Sequence, residues 1–209
     1  MAEKFDVLGL GCTAIDDFLY VPRHPKADEK VRVDGRRREC GGLTATALVA
    51  AARLGSRCVF AGTLGDNELS EFVLYRLSQE GVDVSHVFQK PEAQPIHSTV
   101  IVNDSDQSRT VLYDTMNSFG AQAGWPCEEV IRAGRVLFVD HYGIEGMIRA
   151  VEIARDCEIP VVADFEADDA PRFSELLGLV DHLVLSASFA TKLTGRSDPA
   201  DMARELWLD

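Results

Sequence analysis

The sequence predicts an α/β fold: a three-layer sandwich with a mostly parallel central sheet, plus a small inserted β-sheet. Two observations predict it. Short apolar segments of strand length alternate with segments of helical periodicity, which is typical of a parallel sheet covered by helices. Two further stretches carry strand-like segments with no helix between them, and so interrupt this alternation. The 209 residues, 46% of them hydrophobic, are enough for one sizeable core.

Composition narrows the class of partner. The formal net charge of -13 disfavours nucleic acid and anionic membranes as partners. No apolar run reaches membrane-spanning length, and the first residues lack the basic-then-apolar order of a signal peptide. The five cysteines have no C-x-x-C spacing, so they predict neither a disulfide framework nor a zinc site. The sequence therefore favours a cytoplasmic protein that binds neither nucleic acid nor a membrane.

The core is predicted from apolar strands and amphipathic helices that follow one another along the chain. The predicted strands are residues 5–11, 57–62, 136–140, 160–164 and 182–186, with helices after residues 42, 66 and 145. The helix that begins at Leu43 is small and aliphatic on nearly every side, so we expect it to be buried until Gly55 ends it. Asp66 is predicted to cap the next helix, which Gly81 ends.

Two inserted pieces are predicted to pair into the small sheet. The first contains two strand-like segments, residues 18–21 and 31–33. The second contains residues 98–102 and 110–113, joined by a polar turn that is typical of a hairpin. At the mouth of an α/β domain such a sheet acts as a lid that excludes water from a reaction. The predicted division is a core of residues 1–16, 39–95 and 115–209, and a lid of residues 17–38 and 96–114.

Gly41 and Gly42 are the first candidates for ligand contact. Without a Cβ they let a ligand approach the backbone closely, and they precede a helix whose first N–H groups suit oxygen-rich ligands. Alternatively, they are only a turn before a core helix. Asp16 lies just past the first strand, at the edge where α/β proteins bind ligands, and its carboxylate suits two sugar hydroxyls. It could equally be a surface turn residue, and Asp17 is interpreted as its solvated neighbour.

Other motifs are weaker. Residues 9–14 fit the dinucleotide pattern G-x-G-x-x-[GA], but strand-like residues follow where that fingerprint needs a helix. A nicotinamide enzyme is therefore disfavoured. His141 follows a predicted strand, yet a lone histidine is more often structural. Glu166 and the acidic pair at 168–169 are interpreted as a solvated face rather than a metal site.

Taken in order, these motifs resemble the ribokinase (PfkB) family of sugar and nucleoside kinases. The resemblance runs from Phe5 to about Gly195. It rests on these motifs: Gly9-Leu10-Gly11 with Asp16, Gly41-Gly42 with its small-residue helix, Gly62-Thr63-Leu64-Gly65-Asp66-Asn67, Ser108-Arg109-Thr110-Val111-Leu112-Tyr113, and Lys192-Leu193-Thr194-Gly195. Residues 108–113 and 184–186 are most similar to ketohexokinase-like members.

The resemblance implies an ATP-dependent kinase that uses Mg²⁺ and phosphorylates a hydroxyl of a sugar or sugar-like substrate. It implies that Asp16 holds sugar hydroxyls and that the backbone of Gly41 and Gly42 lies against the sugar. Thr46 stands where the family often has a substrate-binding asparagine, as Leu43 does for some members, so the substrate identity is open. Arg109 would lie near the phosphates or the sugar, or be an exposed hairpin arginine.

Two family motifs are missing from the printed sequence. The N-x-x-E motif, which helps to place magnesium and phosphates, falls on Ser186 and Phe189. The G-A-G-D segment, which carries the anion hole and the general base, does not occur. We therefore expect the general base beyond Asp209 and expect the printed chain to be inactive alone; the apolar end (Leu206, Trp207, Leu208) would need partners. The alternative is a non-catalytic sugar-binding or regulatory protein that kept the sugar pocket.

The inserted sheet also predicts an oligomer. Its apolar residues Phe18, Tyr20, Val100 and Val102 cannot all be buried by so small a sheet, and related kinases often pair through their lids. We therefore expect a homodimer that forms through the lid.

Overall fold

The computed structural model describes residues 4–207, which form a six-stranded sheet, two smaller sheets and the surrounding helices. The strands are β1 (Phe5–Leu10), β2 (Ala14–Val21), β3 (Gly35–Gly41), β4 (Cys58–Phe60), β5 (Thr63–Leu64), β6 (Val82–Asp83), β7 (Phe88–Gln89), β8 (Ile96–Asn103), β9 (Arg109–Asp114), β10 (Gly134–Val139), β11 (Val161–Phe165) and β12 (His182–Leu185). The helices are α1 (Leu43–Arg53), α2 (Glu68–Gln79), α3 (Glu128–Ala133), α4 (Ile144–Asp156), α5 (Phe173–Leu177), α6 (Ala187–Thr194) and α7 (Pro199–Leu206). None of the helices in this described part is long and apolar enough to cross a membrane.

The main sheet has the strand order β12-β11-β10-β1-β4-β6, and every adjacent pair is parallel. Successive side chains of each strand point to opposite faces, so each strand contributes to two cores. On one face α1 and α2 pack on the sheet, with Leu48 and Phe60 fully buried. On the other face α3, α4 and α5 cover the sheet around Leu137 and Met147. The predicted α/β sandwich with a mostly parallel sheet is confirmed.

The face of the main sheet that carries α1 and α2 is left open at β10, β11 and β12. Phe138 of β10 shares this face with Gly9 of β1, against which α1 packs, but α1 does not extend over the next strands. On the next two strands of this face, Asp164 of β11 is half-buried and Val184 of β12 is exposed. This uncovered part of the main sheet forms one wall of the cleft described below.

The second sheet has the order β3-β2-β8-β9. Its β2–β3 and β8–β9 pairs are antiparallel, and its central β2–β8 pair is parallel. The predicted small inserted sheet is therefore present. Only residues 11–13 connect β1 to β2, and Gly42 alone connects β3 to α1. Two of the four connections between the second sheet and the core are thus very short and lie side by side; the other two are residues 90–95 before β8 and residues 115–127 after β9.

Three local predictions are wrong. Residues 31–33 are not a strand: β3 begins at Gly35, opposite Tyr20, and the preceding residues have no strand to pair with because β2 ends one residue later at Val21. Asn67, not Asp66, caps α2, since its side-chain oxygen accepts the Ser70 N–H at 3.0 Å.

The third concerns α1, which is not buried on nearly every side. Thr46 and Ala50 are exposed, because this side of the helix faces the cleft. Gly55, with φ of +97°, follows the end of α1 as predicted.

Of the apolar residues at the end of the chain, Leu206 is half-buried and Trp207 is 79% exposed. Leu208 lies outside the described residues.

A buried carboxylate ties these elements together. Asp140, just after β10, is fully buried and accepts hydrogen bonds from the Cys12 N–H at 2.7 Å, the Thr44 hydroxyl at 2.8 Å and the Tyr142 N–H at 2.8 Å. Gly11 leaves room for this group, because a Cβ there would overlap both the Asp140 carboxylate and the Thr44 hydroxyl. One side chain therefore fixes the β1–β2 connection, the start of α1 and the β10–α4 loop.

Gly42 and Gly55 have nearly the same positive φ, +96° and +97°, but different surroundings. Replacing each with alanine therefore separates the stability cost of backbone strain from that of close packing. A Cβ at Gly42 would lie 2.6 Å from the Thr13 Cα, whereas nothing lies within 4 Å of one at Gly55. We expect Gly55→Ala to lower the free energy of unfolding by about 1 kcal/mol. Gly42→Ala should lower it by about 3 kcal/mol or more, since backbone must also move. Urea unfolding monitored by circular dichroism measures both; equal losses would contradict this packing.

The stability of the fold should depend on the titration of Asp140. Burial raises the pKa of this carboxyl from 3.8 to about 6, against the opposing effect of its hydrogen bonds to Cys12, Tyr142 and Thr44. The folded state therefore holds the proton more tightly than the unfolded chain, which stabilises the fold below pH 3.8. This contribution is lost as the pH rises through about 6.

Relative to Asp140→Asn, we expect the unfolding free energy of the unchanged protein to fall by about 2.5 kcal/mol between pH 4 and pH 7. Urea unfolding of both proteins across this range gives the difference. The exposed Asp104 supplies the control: the Asp104→Asn profile should parallel that of the unchanged protein. A constant difference between the Asp140→Asn and unchanged proteins would show that Asp140 keeps its ordinary pKa.

Candidate functional site

An open cleft of about 1070 Å³ lies between the second sheet, α1 and the uncovered face of the main sheet. It opens near the carboxyl ends of parallel strands, where α/β proteins bind ligands. Four of the five residues proposed from the sequence line it: Asp16, Gly42, Thr46 and Arg109. The fifth, Gly41, lies against Asp16, because a Cβ there would come within 2.6 Å of the Asp16 Oδ2. The cleft therefore gathers the residues that the sequence proposed.

The register of β2 separates two adjacent carboxylates. Asp16 points into the cleft, whereas Asp17 points to the opposite face of the second sheet. There Arg38 donates two hydrogen bonds to Asp17, at 2.7 and 2.8 Å, and the His97 ring lies 2.8 Å from it. Mainly because of Arg38, the pKa of Asp17 is lowered to about 2. Asp17 is thus committed to an ion pair, and Asp16 is the carboxylate that a ligand meets.

Pairing across the second sheet places two further polar groups beside Asp16. Ser98 of β8 is the Cα partner of Asp16, and Tyr113 of β9 is the partner of Ser98. Paired residues on neighbouring strands share a face, and all three of these residues line the cleft. A carboxylate, an aliphatic hydroxyl and a phenol thus form one row across three strands, which we call the polar row.

The first turn of α1 is less open than the sequence suggests. Gly42 is its N-cap and contributes no side-chain hydrogen bond. Leu43, the first residue of the helix, packs against the cluster that contains the buried Cys12. Burial, followed by the charge of Asp140, raises the pKa of the Cys12 side chain, so it is present as a neutral thiol. The contribution of α1 to the cleft is therefore mainly its side chains and the bare backbone of Gly42.

Thr46 and Arg109 lie in different parts of the cleft. Thr46, one turn into α1, is exposed towards it. Arg109 pairs through Val102 with Tyr20, which is four residues beyond Asp16 on β2. At the usual rise of a strand this places Arg109 about 13 Å along the sheet from Asp16. Arg109 and Asp16 therefore meet different parts of any ligand.

The opposite side of the cleft is formed by the loop after β10. The rings of His141 and Tyr142 lie 4.5 Å apart, and both residues line the cleft. Burial lowers the pKa of His141, although the charge of Asp169 opposes this effect. The favoured interpretation of His141 as merely structural did not anticipate its position on the cleft. The position of His141 and Tyr142 after a central parallel strand was the available signal.

Two acidic residues extend the cleft along β11. Asp164 and Glu166 both line it. Burial, and then the charge of Glu166, raises the pKa of Asp164. No group of three His, Cys, Asp or Glu side chains in residues 4–207 is arranged to hold a metal ion. Mg²⁺ bound to nucleotide phosphates commonly takes only one or two carboxylates from the protein, so these two residues fit that role.

The positions of the N-x-x-E motif have a packing role here. The Ser186 hydroxyl accepts the Phe189 N–H at 3.2 Å and so caps α6. Phe189 is buried and meets the ring of Phe173 edge-on, with 6.2 Å between the ring centroids. Neither residue supplies a carboxylate to the cleft.

The chain is similar in sequence to known sugar kinases. Ketohexokinase of Mus musculus is 33% identical over 114 residues, which are 54% of this chain and 38% of that protein. Ribokinase of Staphylococcus aureus (strain COL) is 26% identical over 197 residues, covering 90% of this chain and 63% of that protein. The chain thus spans 38 and 63% of the lengths of these two relatives.

The fold itself matches solved sugar-kinase structures. The structure of Arabidopsis thaliana ribokinase complexed with ribose and ATP superimposes with a TM-score of 0.79 at 20% identity, covering 97% of this chain and 67% of that one. At this identity the likeness concerns the fold. Residues 4–206 match the profile of the pfkB family carbohydrate kinases. Because this match takes in nearly the whole chain, the protein belongs to the pfkB family of carbohydrate kinases.

Proposed function

We propose that the protein carries out ATP-dependent phosphorylation of a hydroxyl of a sugar or sugar-like substrate. One observation carries this proposal: Asp16 points into a cleft of about 1070 Å³ beside the bare backbone of Gly41 and Gly42. A carboxylate accepts two hydrogen bonds from neighbouring hydroxyls, and glycine backbone lets a sugar ring approach closely. This chain then supplies the sugar-binding part of the kinase.

In this proposal the second sheet serves as a lid. The proposed lid is the two inserted pieces, residues 17–38 and 96–114, over a core formed by the rest of the chain; β2 and β3 continue beyond it to Ala14 and Gly41. When it covers the sugar it excludes water, which prevents hydrolysis of ATP in place of sugar phosphorylation. Arg109, at the far end of the cleft from Asp16, suits the phosphates. Asp164 and Glu166 are the candidates for holding Mg²⁺ with ATP, and no general base is assigned among residues 4–207.

A second candidate function is sugar binding without catalysis, as in a regulatory protein that retains the fold. The specific observation in its favour is Phe189, which is a buried packing residue where the family motif has an acidic one. A protein of this kind would bind the sugar through Asp16 and would transfer no phosphoryl group.

The two candidates differ in one measurement. Because the printed chain is expected to be inactive alone, the test uses the full-length protein. It is incubated with Mg²⁺–ATP and a panel of pentoses, hexoses and ketoses, and ADP release is followed with a coupled assay. A kinase releases ADP only with its sugar. Calorimetric binding of a sugar with no sugar-dependent ADP release would favour the second candidate, and the absence of any sugar binding would overturn both.

Asp16→Asn should weaken sugar binding, because one acceptor oxygen of the carboxylate becomes a donor. Each charge-assisted hydrogen bond contributes about 1.5–3 kcal/mol, so we expect the sugar affinity to fall about ten-fold to a thousand-fold. ATP affinity should hardly change. Asp17→Asn is the matched control, since the next side chain on β2 faces away from the cleft. Calorimetric titration measures both; equal affinity of Asp16→Asn and the unchanged protein would remove Asp16 from the site.

We also propose a homodimer that forms through the second sheet. Val100, one of the residues that motivated this prediction, is already buried within one chain. Support comes instead from β9, an edge strand whose Val111, Leu112 and Tyr113 are all exposed. An apolar edge strand of this kind pairs readily with a second copy.

Leu112→Asp should shift the protein from dimer to monomer in sedimentation equilibrium while leaving it folded. Leu112 is 58% exposed, so the change removes no core contact. Leu54→Asp, at an 88% exposed position after α1, is the control and should remain dimeric. An unchanged protein that stays monomeric at high micromolar concentration would contradict the dimer.

A cytoplasmic location fits the same proposal. All five cysteines lie within the described residues and are free thiols. Free thiols persist in the reducing cytoplasm, where ATP is also available.

A further inference from the structure

Ser98 is a nearly buried hydroxyl that has no assigned partner. It is 5% exposed, between Ile96 and Val100 on the same face of β8, which are also buried. No hydrogen bond among residues 4–207 involves its hydroxyl. In the same part of the chain, no side-chain oxygen or nitrogen that is fully shut off from solvent lacks a partner. The Ser98 oxygen therefore faces the open space of the cleft, which Ser98 lines.

The neighbours of Ser98 show what kind of ligand group it would meet. In the polar row it lies between Asp16 and Tyr113, its Cα partners on the adjacent strands. Neighbouring strands are about 4.8 Å apart, so the polar row extends about 10 Å across the sheet. A row of this length exceeds what one hydroxyl occupies and matches a chain of carbons that carries several hydroxyls.

Apolar rows lie on both sides of the polar row. On one side Ala14 pairs with Ile96, and on the other Phe18, Val100 and Val111 pair across three strands. A ligand hydroxyl that strayed over these side chains would lose its hydrogen bonds to water without replacement. The pattern therefore fixes where along the sheet the hydroxyl-bearing edge of a substrate lies.

From this arrangement we infer that Ser98 is a specificity-determining residue: its hydroxyl bonds a substrate hydroxyl next to those that Asp16 holds. The site then selects a polyol with hydroxyls on neighbouring carbons over an analogue that lacks the one facing Ser98. With such an analogue the Ser98 hydroxyl stays enclosed without a partner, which costs affinity. This inference rests on the proposed function, because it assumes that the cleft binds a sugar.

The test pairs a protein change with a ligand change. The sugar that binds best in the panel and each of its monodeoxy analogues are titrated calorimetrically against the unchanged protein and Ser98→Ala. Removing one hydrogen bond lowers affinity about three-fold to ten-fold, so Ser98→Ala should bind the parent sugar and most analogues that much more weakly. For one analogue the two proteins should bind equally, because the hydroxyl that Ser98 meets is already missing.

Thr99→Ala is the control, since the next residue on β8 faces away from the cleft; it should bind every ligand like the unchanged protein. Thermal unfolding of each variant verifies that it is folded. If Ser98→Ala binds every ligand like the unchanged protein, or is weakened equally for all analogues, the inference is wrong. If instead no sugar binds the unchanged protein, or Asp16→Asn binds sugar normally, the proposed function itself fails and the inference with it.

Discussion

The carboxylate of Asp140 holds together the part of the molecule on which the cleft depends. Its two oxygens accept hydrogen bonds from the β1–β2 connection, from the first turn of α1 and from the loop after β10. A buried carboxylate is costly unless several donors compensate it, and here three do. Position 11 must be glycine, because any Cβ there would overlap the Asp140 carboxylate. The buried carboxylate and the glycine beside it therefore depend on each other. The positions of Gly42, Tyr142 and the start of the second sheet all follow from this contact.

Strand register then decides which side chains the cleft presents. Asp16 and Asp17 are adjacent and chemically alike, yet one faces the cleft and the other forms an ion pair with Arg38 on the far side. The same alternation turns Ser98 inwards and Thr99 outwards. A shift of a strand by one residue would turn the inward member of such a pair outwards and the outward member inwards. The register therefore determines the chemistry of the cleft as much as composition does.

Much of the fold could be predicted from the sequence, because apolar periodicity and glycine positions are local signals. The helix beginning at Leu43 with Gly55 after it, and the hairpin of β8 and β9, are examples. The wrong predictions depended on contacts between distant segments, which a local pattern does not reveal. Residues 31–33 have strand character but no neighbouring strand, and the exposure of one side of α1 depends on what packs against it. The place of Asp16 just past the first strand was a signal for its position on the cleft, although that place alone fitted a surface turn residue equally well. Ser98 could not be predicted, since only pairing between distant segments places it beside Asp16.

The two short connections of the second sheet to the core, out of four in all, have a mechanical consequence. Both are at most three residues long, and they run side by side at Gly11 and at Gly41–Gly42. The other two connections, residues 90–95 before β8 and residues 115–127 after β9, are longer. Any rotation of the second sheet that these loops accommodate must still twist the backbone at the glycines of the short connections. The same peptide groups lead directly into α1. A rotation of the second sheet would therefore be transmitted to the first turn of α1, at the floor of the cleft.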